Sequence, residues 1–236
     1  DPSTSAVQLA NSETGIIQDL PTDIFLSDVT QAIGKIPFSF EWLGAKRAIV
    51  SAHKFGGPKG VGALLLEDDI SFSPLIVGGG QEMGRRSGTE NIVGAVGMAA
   101  AAAAALVDLE KGVWSRVEEL RNILENSIEE SFNETIFVGK GTKRLPNTTL
   151  IINSGWRGET QVMQLDLAGY AVSAGSACSS GKVKGSAVLQ SMGYDDEQSK
   201  SALRVSLGVG TTTEDINGFV GAYCKEGKKF MSRRSA

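Results

Sequence analysis

The sequence predicts an α/β protein with two domains, and three observations support this. Short apolar runs are typical of buried strands, and Ala48–Val50 is the clearest of them. The tract 90–109 consists of nearly all helix formers, with alanine dominant. Beyond Gly112, strand-like and helix-like segments alternate again, which is typical of α/β or α+β structure. We therefore place the boundary near residue 110 and expect domains 1–110 and 111–236.

In the first domain, strands are predicted at residues 7–10 and 24–26. The first ends at Asn11 and the second at Asp28, where open α/β sheets bind their ligands. Asp28 is followed by Gln31 at the spacing of a capping box, which predicts a short helix or turn. Helix capping and a role in ligand binding are both compatible with this pair.

Lys54 lies between two apolar runs, 48–50 and 61–66, that are predicted as buried strands. A turn follows it, formed by Gly56, Gly57, Pro58 and Gly60. Most lysines are solvated surface residues. A lysine beside strand ends is also a candidate Schiff-base lysine, because desolvation favours the neutral, nucleophilic amine.

The remaining elements follow from capping and periodicity. Ser87 to Glu90 resembles a capping box before the alanine-rich helix. A second amphipathic helix has its apolar face at Trp114, Val117, Leu120, Leu124 and Ile128. Further strands are predicted at 149–152, 171–173 and 202–206, and further helices at 159–167, 187–192 and from Glu214, capped by Thr213, toward Cys224 and Gly227.

Two residues of the second domain are candidates for chemistry. Cys178 lies among glycine and serine with two lysines close by, and cations favour the reactive thiolate. An inert cysteine is the alternative, since free cysteines are usually buried packing residues. Arg204 lies in a mainly apolar strand, where its charge needs a partner. A salt bridge to an acidic side chain is the simplest such partner.

Composition limits the possible functions. The net charge is −4 and there is no long basic run, so we do not expect nucleic acid as a partner. Two cysteines far apart do not form a disulfide framework and fit a reducing, cytoplasmic location. We expect no membrane-spanning segment, and we interpret the alanine run 99–105 as an ordinary helix.

Four stretches, in order, resemble motifs of the NifS/IscS cysteine desulfurases. They are Asn-Ser-Glu-Thr-Gly at 11–15, Ser-Ala-His-Lys-Phe-Gly-Gly-Pro-Lys-Gly at 51–60, Gly-Gly-Gly-Gln-Glu-Met-Gly-Arg-Arg-Ser-Gly-Thr-Glu-Asn at 78–91, and Ser-Ala-Gly-Ser-Ala-Cys-Ser-Ser-Gly at 173–181. The resemblance covers essentially the whole chain. It implies the type I fold of pyridoxal-phosphate-dependent transferases, as in class V aminotransferases. Residues 1–110 would be the C-terminal part of the large domain, and 111–236 the small domain with the catalytic cysteine.

The resemblance also implies roles for individual residues. Lys54 and Cys178 would be catalytic. Pyridoxal phosphate would be bound by Asn11, Asp28 at the pyridine nitrogen, Gln31 at the ring hydroxyl, Ser51 and His53 at the phosphate, Lys54, and Thr89. The family threonine reaches the cofactor of a neighbouring subunit, which implies a homodimer. Asn11 and Arg204 would bind the substrate carboxylate, and no metal is expected.

The activity implied by the resemblance is conversion of L-cysteine to L-alanine. The sulfur would be held as a persulfide on Cys178 and passed to an acceptor, often an iron–sulfur scaffold protein. A selenocysteine lyase or an aminotransferase of the same fold remains an alternative, and transamination would not need the thiol. A non-catalytic chain that acts as an interaction module is the other alternative.

One departure from the family pattern affects these expectations. The chain begins in the middle of the pattern and lacks the upstream glycine-rich phosphate loop and the ring-stacking histidine, so an N-terminal portion is expected to be missing. His53, the only histidine, does not replace that residue. We expect these residues alone to bind pyridoxal phosphate weakly or not at all, with an open region around Lys54 and Asp28.

Overall fold

The computed structural model describes residues 1–68, 70–71, 73–175 and 185–234. The chain divides into two compact units, one formed by residues 1–10 and 18–111 and the other by residues 11–17 and 112–236. Each unit contains a four-stranded sheet and helices. The predicted α/β class is therefore confirmed.

The first unit is built on four strands: β1 (Ala6–Gln8), β2 (Leu26–Asp28), β3 (Arg47–Ser51) and β4 (Gly62–Leu66). They lie in the order β1-β2-β3-β4, with the first three parallel and β4 antiparallel to β3. Gln8 pairs with Asp28, and Asp28 pairs with Ile49. The carboxyl ends of β2 and β3 consequently lie at the same edge of the sheet.

Buried apolar side chains on and between these strands form the core of the first unit: Ile24, Val29, Leu43, Ala45, Ala48 and Val50. The strand predicted at 24–26 is displaced, because β2 begins at Leu26 and Ile24 forms an isolated bridge with Ala45. Ile24 is fully buried without belonging to the strand. Ile24 is apolar because it is buried, and the sequence pattern could not distinguish a buried residue from a residue paired in a strand.

Helix α1 (Ile92–Glu110) contributes Met98 to this core. It begins later than the capping box at Ser87 predicted, and that prediction is wrong. Ser87 instead donates its hydroxyl to the carbonyl of Ile76 at 3.0 Å. Asn91 caps the helix by accepting the amide of Gly94 at 3.0 Å, a common role for asparagine.

The expectation that no segment could span a membrane also needs correction. By length and composition α1 is long and apolar enough to cross a bilayer. Within the same unit, Gly97 of α1 approaches the ring of Pro58 so closely that a Cβ there would lie 3.0 Å from it. That no membrane is involved therefore stays a prediction.

The second unit contains, in chain order, α2 (Val113–Ser131), β5 (Ile136–Phe137), β6 (Thr148–Ile152), α3 (Gly158–Leu167), β7 (Ser173–Ala174), α4 (Ala187–Ser191), α5 (Asp196–Lys200), β8 (Ala202–Ser206) and α6 (Thr213–Arg234). The strands form an antiparallel sheet in the order β5-β6-β8-β7. Gly112, with φ of +68°, separates α1 from α2. β8 has the predicted bounds, whereas β7 begins only at the last residue of its predicted strand.

The core of the second unit lies against the apolar face of α2. Val117, Leu120, Leu124 and Ile128 are buried, as their helical spacing predicted. Leu120, Leu124 and Ile128 pack in one cluster with residues of the sheet and of α6.

The cap of α6 is Thr212 and not Thr213, because the amide of Asp215 donates to the Thr212 hydroxyl at 3.2 Å.

A buried ion pair ties α2 to the segment before β6. The two terminal guanidinium nitrogens of Arg144, Nη1 and Nη2, donate to the carboxylate of Glu125, at 2.8 and 3.0 Å. The two side chains are 3% and 2% exposed, so neither charge has water as a substitute partner. Breaking a buried pair leaves an uncompensated charge, which costs more than the pair itself contributes.

We expect Arg144→Met to lower the free energy of unfolding by about 3–5 kcal/mol. The double variant Arg144→Met/Glu125→Met should recover most of this loss, because it buries no unpaired charge. The midpoint of urea unfolding measures both effects. The exposed control Lys229→Met, which removes a surface pair with Glu226, should change stability by less than about 1 kcal/mol. An Arg144→Met loss no larger than that of the control would contradict this account.

Candidate functional site

Asp28 ends β2, and its carboxylate accepts the amide of Thr30 at 2.9 Å. The segment that follows, 30–35, is a turn, one of the two predicted forms. The capping box predicted for Asp28 and Gln31 is wrong, because the carboxylate accepts the amide of Thr30 and not that of Gln31. One carboxylate oxygen is enough to hold the turn. The Asp28 side chain is half-buried at the carboxyl edge of the sheet, so its carboxylate can also bind a group beyond that edge.

Lys54 ends a short 3-10 turn, Ala52–Lys54, directly after β3. The amides of Phe55 and Gly57 both donate to the carbonyl of Ala52, at 3.1 and 2.9 Å. A Cβ on Gly57 would lie 2.8 Å from the Cβ of Ala52, so the turn requires glycine there. The backbone of Lys54 is thus fixed while its side chain is exposed.

Ser51 and His53 flank the same turn. The Ser51 hydroxyl and His53 Nδ1 are hydrogen-bonded at 2.8 Å, with the donor set by the tautomer of the ring. His53 is exposed and Ser51 half-buried. When Nδ1 carries the ring proton, the Ser51 hydroxyl can donate to an anion, and in the other tautomer the Nε2–H of His53 can do so.

The residues at this edge fit pyridoxal phosphate chemically. A carboxylate, Asp28, suits a protonated ring nitrogen, and an exposed amine, Lys54, suits the aldehyde. The Ser51 and His53 donors suit the phosphate. Gln31 is half-buried in the turn after Asp28. Among the residues that the structure describes, no group of three histidine, cysteine or acidic side chains could hold a metal ion.

Thr89 lies in the exposed loop before α1. Its carbonyl accepts a long hydrogen bond, 3.4 Å, from Arg86 Nη1, which also contacts the carbonyl of Gly88. Within the described part of the chain no hydrogen bond joins Thr89 to Asp28 or to the Lys54 turn. Its predicted role at the cofactor of a neighbouring subunit stays a prediction.

Lys35 lies beside the Lys54 turn, and it was not predicted from the sequence as a site residue. It is buried, and its ammonium donates to the carbonyls of Gln31 at 2.9 Å and Lys54 at 3.1 Å. Burial, and secondarily the charge of Lys54, lowers the pKa of Lys35 to about 8. The only signal in the sequence was a lysine between a turn glycine, Gly34, and the apolar Ile36.

Asn11 groups with the second unit, although it follows β1 in the chain. Its side-chain oxygen accepts the amides of Glu13 and Thr14, at 2.9 and 3.0 Å. Because both partners are backbone donors, the orientation of the amide is fixed. The NH2 group is therefore the part of Asn11 that can donate to a ligand, as the predicted carboxylate contact requires.

Arg204 lies near Asn11 in the second unit. Its Nη1 donates to the carbonyl of Ser12 at 2.9 Å, and its Nη2 contacts the Ser173 hydroxyl at 3.5 Å. Its Nε is buried and has no hydrogen-bond partner among the residues that the structure describes. Nε and Nη2 form one edge of the guanidinium, which can bind both oxygens of a carboxylate. Among the described residues, backbone and hydroxyl contacts replace the expected acidic partner and leave this edge of the guanidinium weakly satisfied.

The predicted nucleophile, Cys178, lies outside the described residues. The other cysteine, Cys224, is half-buried in α6 and is free within the described part of the chain. The structure thus groups Asp28, Gln31, Ser51, His53 and Lys54 in one unit and Asn11 with Arg204 in the other.

Comparison with known proteins identifies the class. The family model for class-V aminotransferases matches residues 2–219, and the chain belongs to this family. A cysteine desulfurase IscS from Dictyoglomus turgidum is 37% identical over 221 residues, which are 90% of this chain and 56% of that protein. The resemblance to the NifS/IscS proteins is thereby confirmed.

Solved structures agree. A NifS-like protein from Rickettsia africae ESF-5 matches with a TM-score of 0.82 and 32% identity, over 93% of this chain and 60% of that one. A structure of SspA in complex with cysteine matches with a TM-score of 0.64 and 26% identity, over 86% and 58%. The type I fold is therefore shown. The chain spans between half and two thirds of the length of these proteins.

Proposed function

We propose that the protein is a pyridoxal-phosphate-dependent cysteine desulfurase. The observation that carries the proposal is the placement of Asp28 and Lys54 at the carboxyl ends of two adjacent parallel strands, β2 and β3. The similarity to cysteine desulfurases supports the choice of reaction, and the cysteine-bound relative supports the substrate.

Each residue has a defined task in this proposal. Bound pyridoxal phosphate would supply an electron-withdrawing ring that stabilises negative charge at the substrate α carbon. Asp28 would hold a proton at the ring nitrogen, Gln31 would contact the ring hydroxyl, and Ser51 and His53 would bind the phosphate. Lys54 would carry the cofactor and move the α proton.

The sulfur transfer is assigned to Cys178. Its thiolate attacks the sulfur of L-cysteine, the carbon–sulfur bond breaks, and a sulfur–sulfur bond forms. The products are L-alanine and a Cys178 persulfide, so atoms and electrons balance without an external oxidant. An acceptor, such as an iron–sulfur scaffold protein, then takes the sulfur. A cytoplasmic location and a homodimer, with Thr89 near the partner's cofactor, belong to the same proposal.

Product analysis tests the proposal. With pyridoxal phosphate, L-cysteine and a thiol reductant, we expect L-alanine and sulfide in equal amounts. An aminotransferase would instead consume an oxo acid and form a keto acid from the amino donor. No turnover at saturating cofactor would favour the non-catalytic alternative, and turnover confined to L-selenocysteine would favour a lyase.

Arg204→Ala should weaken L-cysteine binding far more than cofactor binding. Losing a charge-assisted contact with the carboxylate is expected to cost about 1.5–3 kcal/mol. Titration of the cofactor absorbance with L-cysteine, and separately of the protein with pyridoxal phosphate, measures the two affinities. Arg204→Lys keeps the charge without the two-pronged geometry and should recover only part of the loss. Equal loss of both affinities would mean that Arg204 is structural.

A further inference from the structure

Lys35 is a buried cation. Neither the stability of the fold nor the residue roles assigned above explain why it is there. Burying an ammonium is costly unless it is both paired with an opposite charge and hydrogen-bonded, and the hydrogen bonds of Lys35 go to neutral carbonyls. The chain nevertheless places it where it joins two loops, the turn after Asp28 and the turn that ends at Lys54. An apolar side chain of similar length would fill the space without that cost.

The contact with Lys54 is specific in its geometry. Lys35 Nζ donates to the carbonyl oxygen of Lys54, and the same peptide group donates its Phe55 amide to the carbonyl of Ala52 at 3.1 Å. Both ends of the peptide group that follows Lys54 are therefore held. Since this group sets the direction in which the Lys54 backbone leaves the turn, it also limits where the amine can reach.

The turn that carries Lys35 is pressed against the Lys54 turn. Gly34 has φ of +75°, and a Cβ there would lie 3.0 Å from the Cβ of Ala105 and 3.1 Å from that of Phe55. Only glycine allows this approach without displacing its neighbours. The backbone of Lys35 is itself fixed, because its amide donates to the carbonyl of Ala32 at 3.0 Å.

We propose that Lys35 is a positioning residue that fixes the peptide group after Lys54 and so presents the Lys54 amine to the cofactor. This inference rests on the proposed function of Lys54. Lys35 touches no reacting atom and acts only through the Lys54 backbone. Within the described part of the chain, the charged group that affects the pKa of Lys35 is Lys54 itself.

Amide exchange of Phe55 in the cofactor-free protein tests the anchor directly. A charged donor makes a stronger hydrogen bond than a neutral one. With intrinsic exchange rates corrected, wild-type protection of Phe55 should therefore fall as the pH rises through about 8, where Lys35 loses its proton. In Lys35→Met, protection should be about tenfold lower and independent of pH. Lys35→Arg should restore it and keep it constant, because arginine stays charged.

A second readout connects the anchor to function. The rate at which borohydride traps pyridoxal phosphate on Lys54 should fall in Lys35→Met and not in the exposed control Lys46→Met. Wild-type protection and trapping in Lys35→Met, at every pH, would overturn the proposal. If wild-type Lys54 traps no cofactor, the proposed function fails, yet the exchange profile still decides whether Lys35 anchors the peptide group.

Discussion

Lys54→Ala is expected to abolish both covalent capture of pyridoxal phosphate and all turnover. The Lys54 side chain is exposed and carries an amine. Hydrogen bonds and the close packing of a glycine hold its turn in place. Alanine has no amine and leaves the turn intact. Capture is measured by incubation with excess cofactor, borohydride reduction and peptide mapping. Reduction makes the bond to the lysine permanent, so the assay detects capture even where the cofactor binds weakly.

The matched control is Lys46→Ala, which removes another exposed lysine of the same unit. It should trap the cofactor on Lys54 as the wild type does. A reducible adduct that persists on Lys54→Ala at the wild-type level would exclude Lys54 as the anchor. Adducts spread over several surface lysines of the wild type would mean that the turn has no special role.

Cys178→Ser is expected to separate cofactor chemistry from sulfur transfer. The variant should still trap pyridoxal phosphate on Lys54, and its absorbance should still change with L-cysteine. It should release neither alanine nor sulfide, because a serine hydroxyl cannot take the sulfur as a persulfide. Alanine quantified by chromatography and sulfide by a colorimetric assay measure the loss.

Cys224→Ser is the control for that experiment. Cys224 is half-buried in α6, and losing its thiol should leave desulfuration unchanged. Undiminished activity in Cys178→Ser would contradict the persulfide mechanism. If activity is lost in Cys224→Ser and kept in Cys178→Ser, our proposal assigns the sulfur to the wrong cysteine.

Local pattern predicted much of the fold, and tertiary packing explains the differences. The helical spacing of Leu120, Leu124 and Ile128 identified the buried face of α2, because amphipathicity is a local property. We predicted that α6 would end near Gly227, yet it continues to Arg234. A Cβ on Gly227 would lie 2.6 Å from the Phe132 ring, so this glycine serves packing and does not end the helix.

Two small elements escaped prediction for different reasons. β5 has only two residues, too few to show any alternation. α5 is polar throughout and begins with a capping box of Asp195 and Gln198. Without an apolar stripe, only the caps could have indicated this helix.

The site shows the same division. The turn at Lys54 was predictable, since a strand-like run and several glycines are adjacent in sequence. The contact between Arg204 and the carbonyl of Ser12 joins residues far apart in the chain, and no local pattern reports it. Lys35 was missed for that reason too, because its significance lies in a hydrogen bond to a distant backbone carbonyl.

The most direct test of the central claim is the mass of the protein after reaction with L-cysteine. With pyridoxal phosphate present and no reductant, the peptide that contains Cys178 should gain one sulfur atom, and one L-alanine should form for each sulfur gained. Cofactor trapped on Lys54 without any gain of sulfur or formation of alanine would contradict the assignment as a cysteine desulfurase.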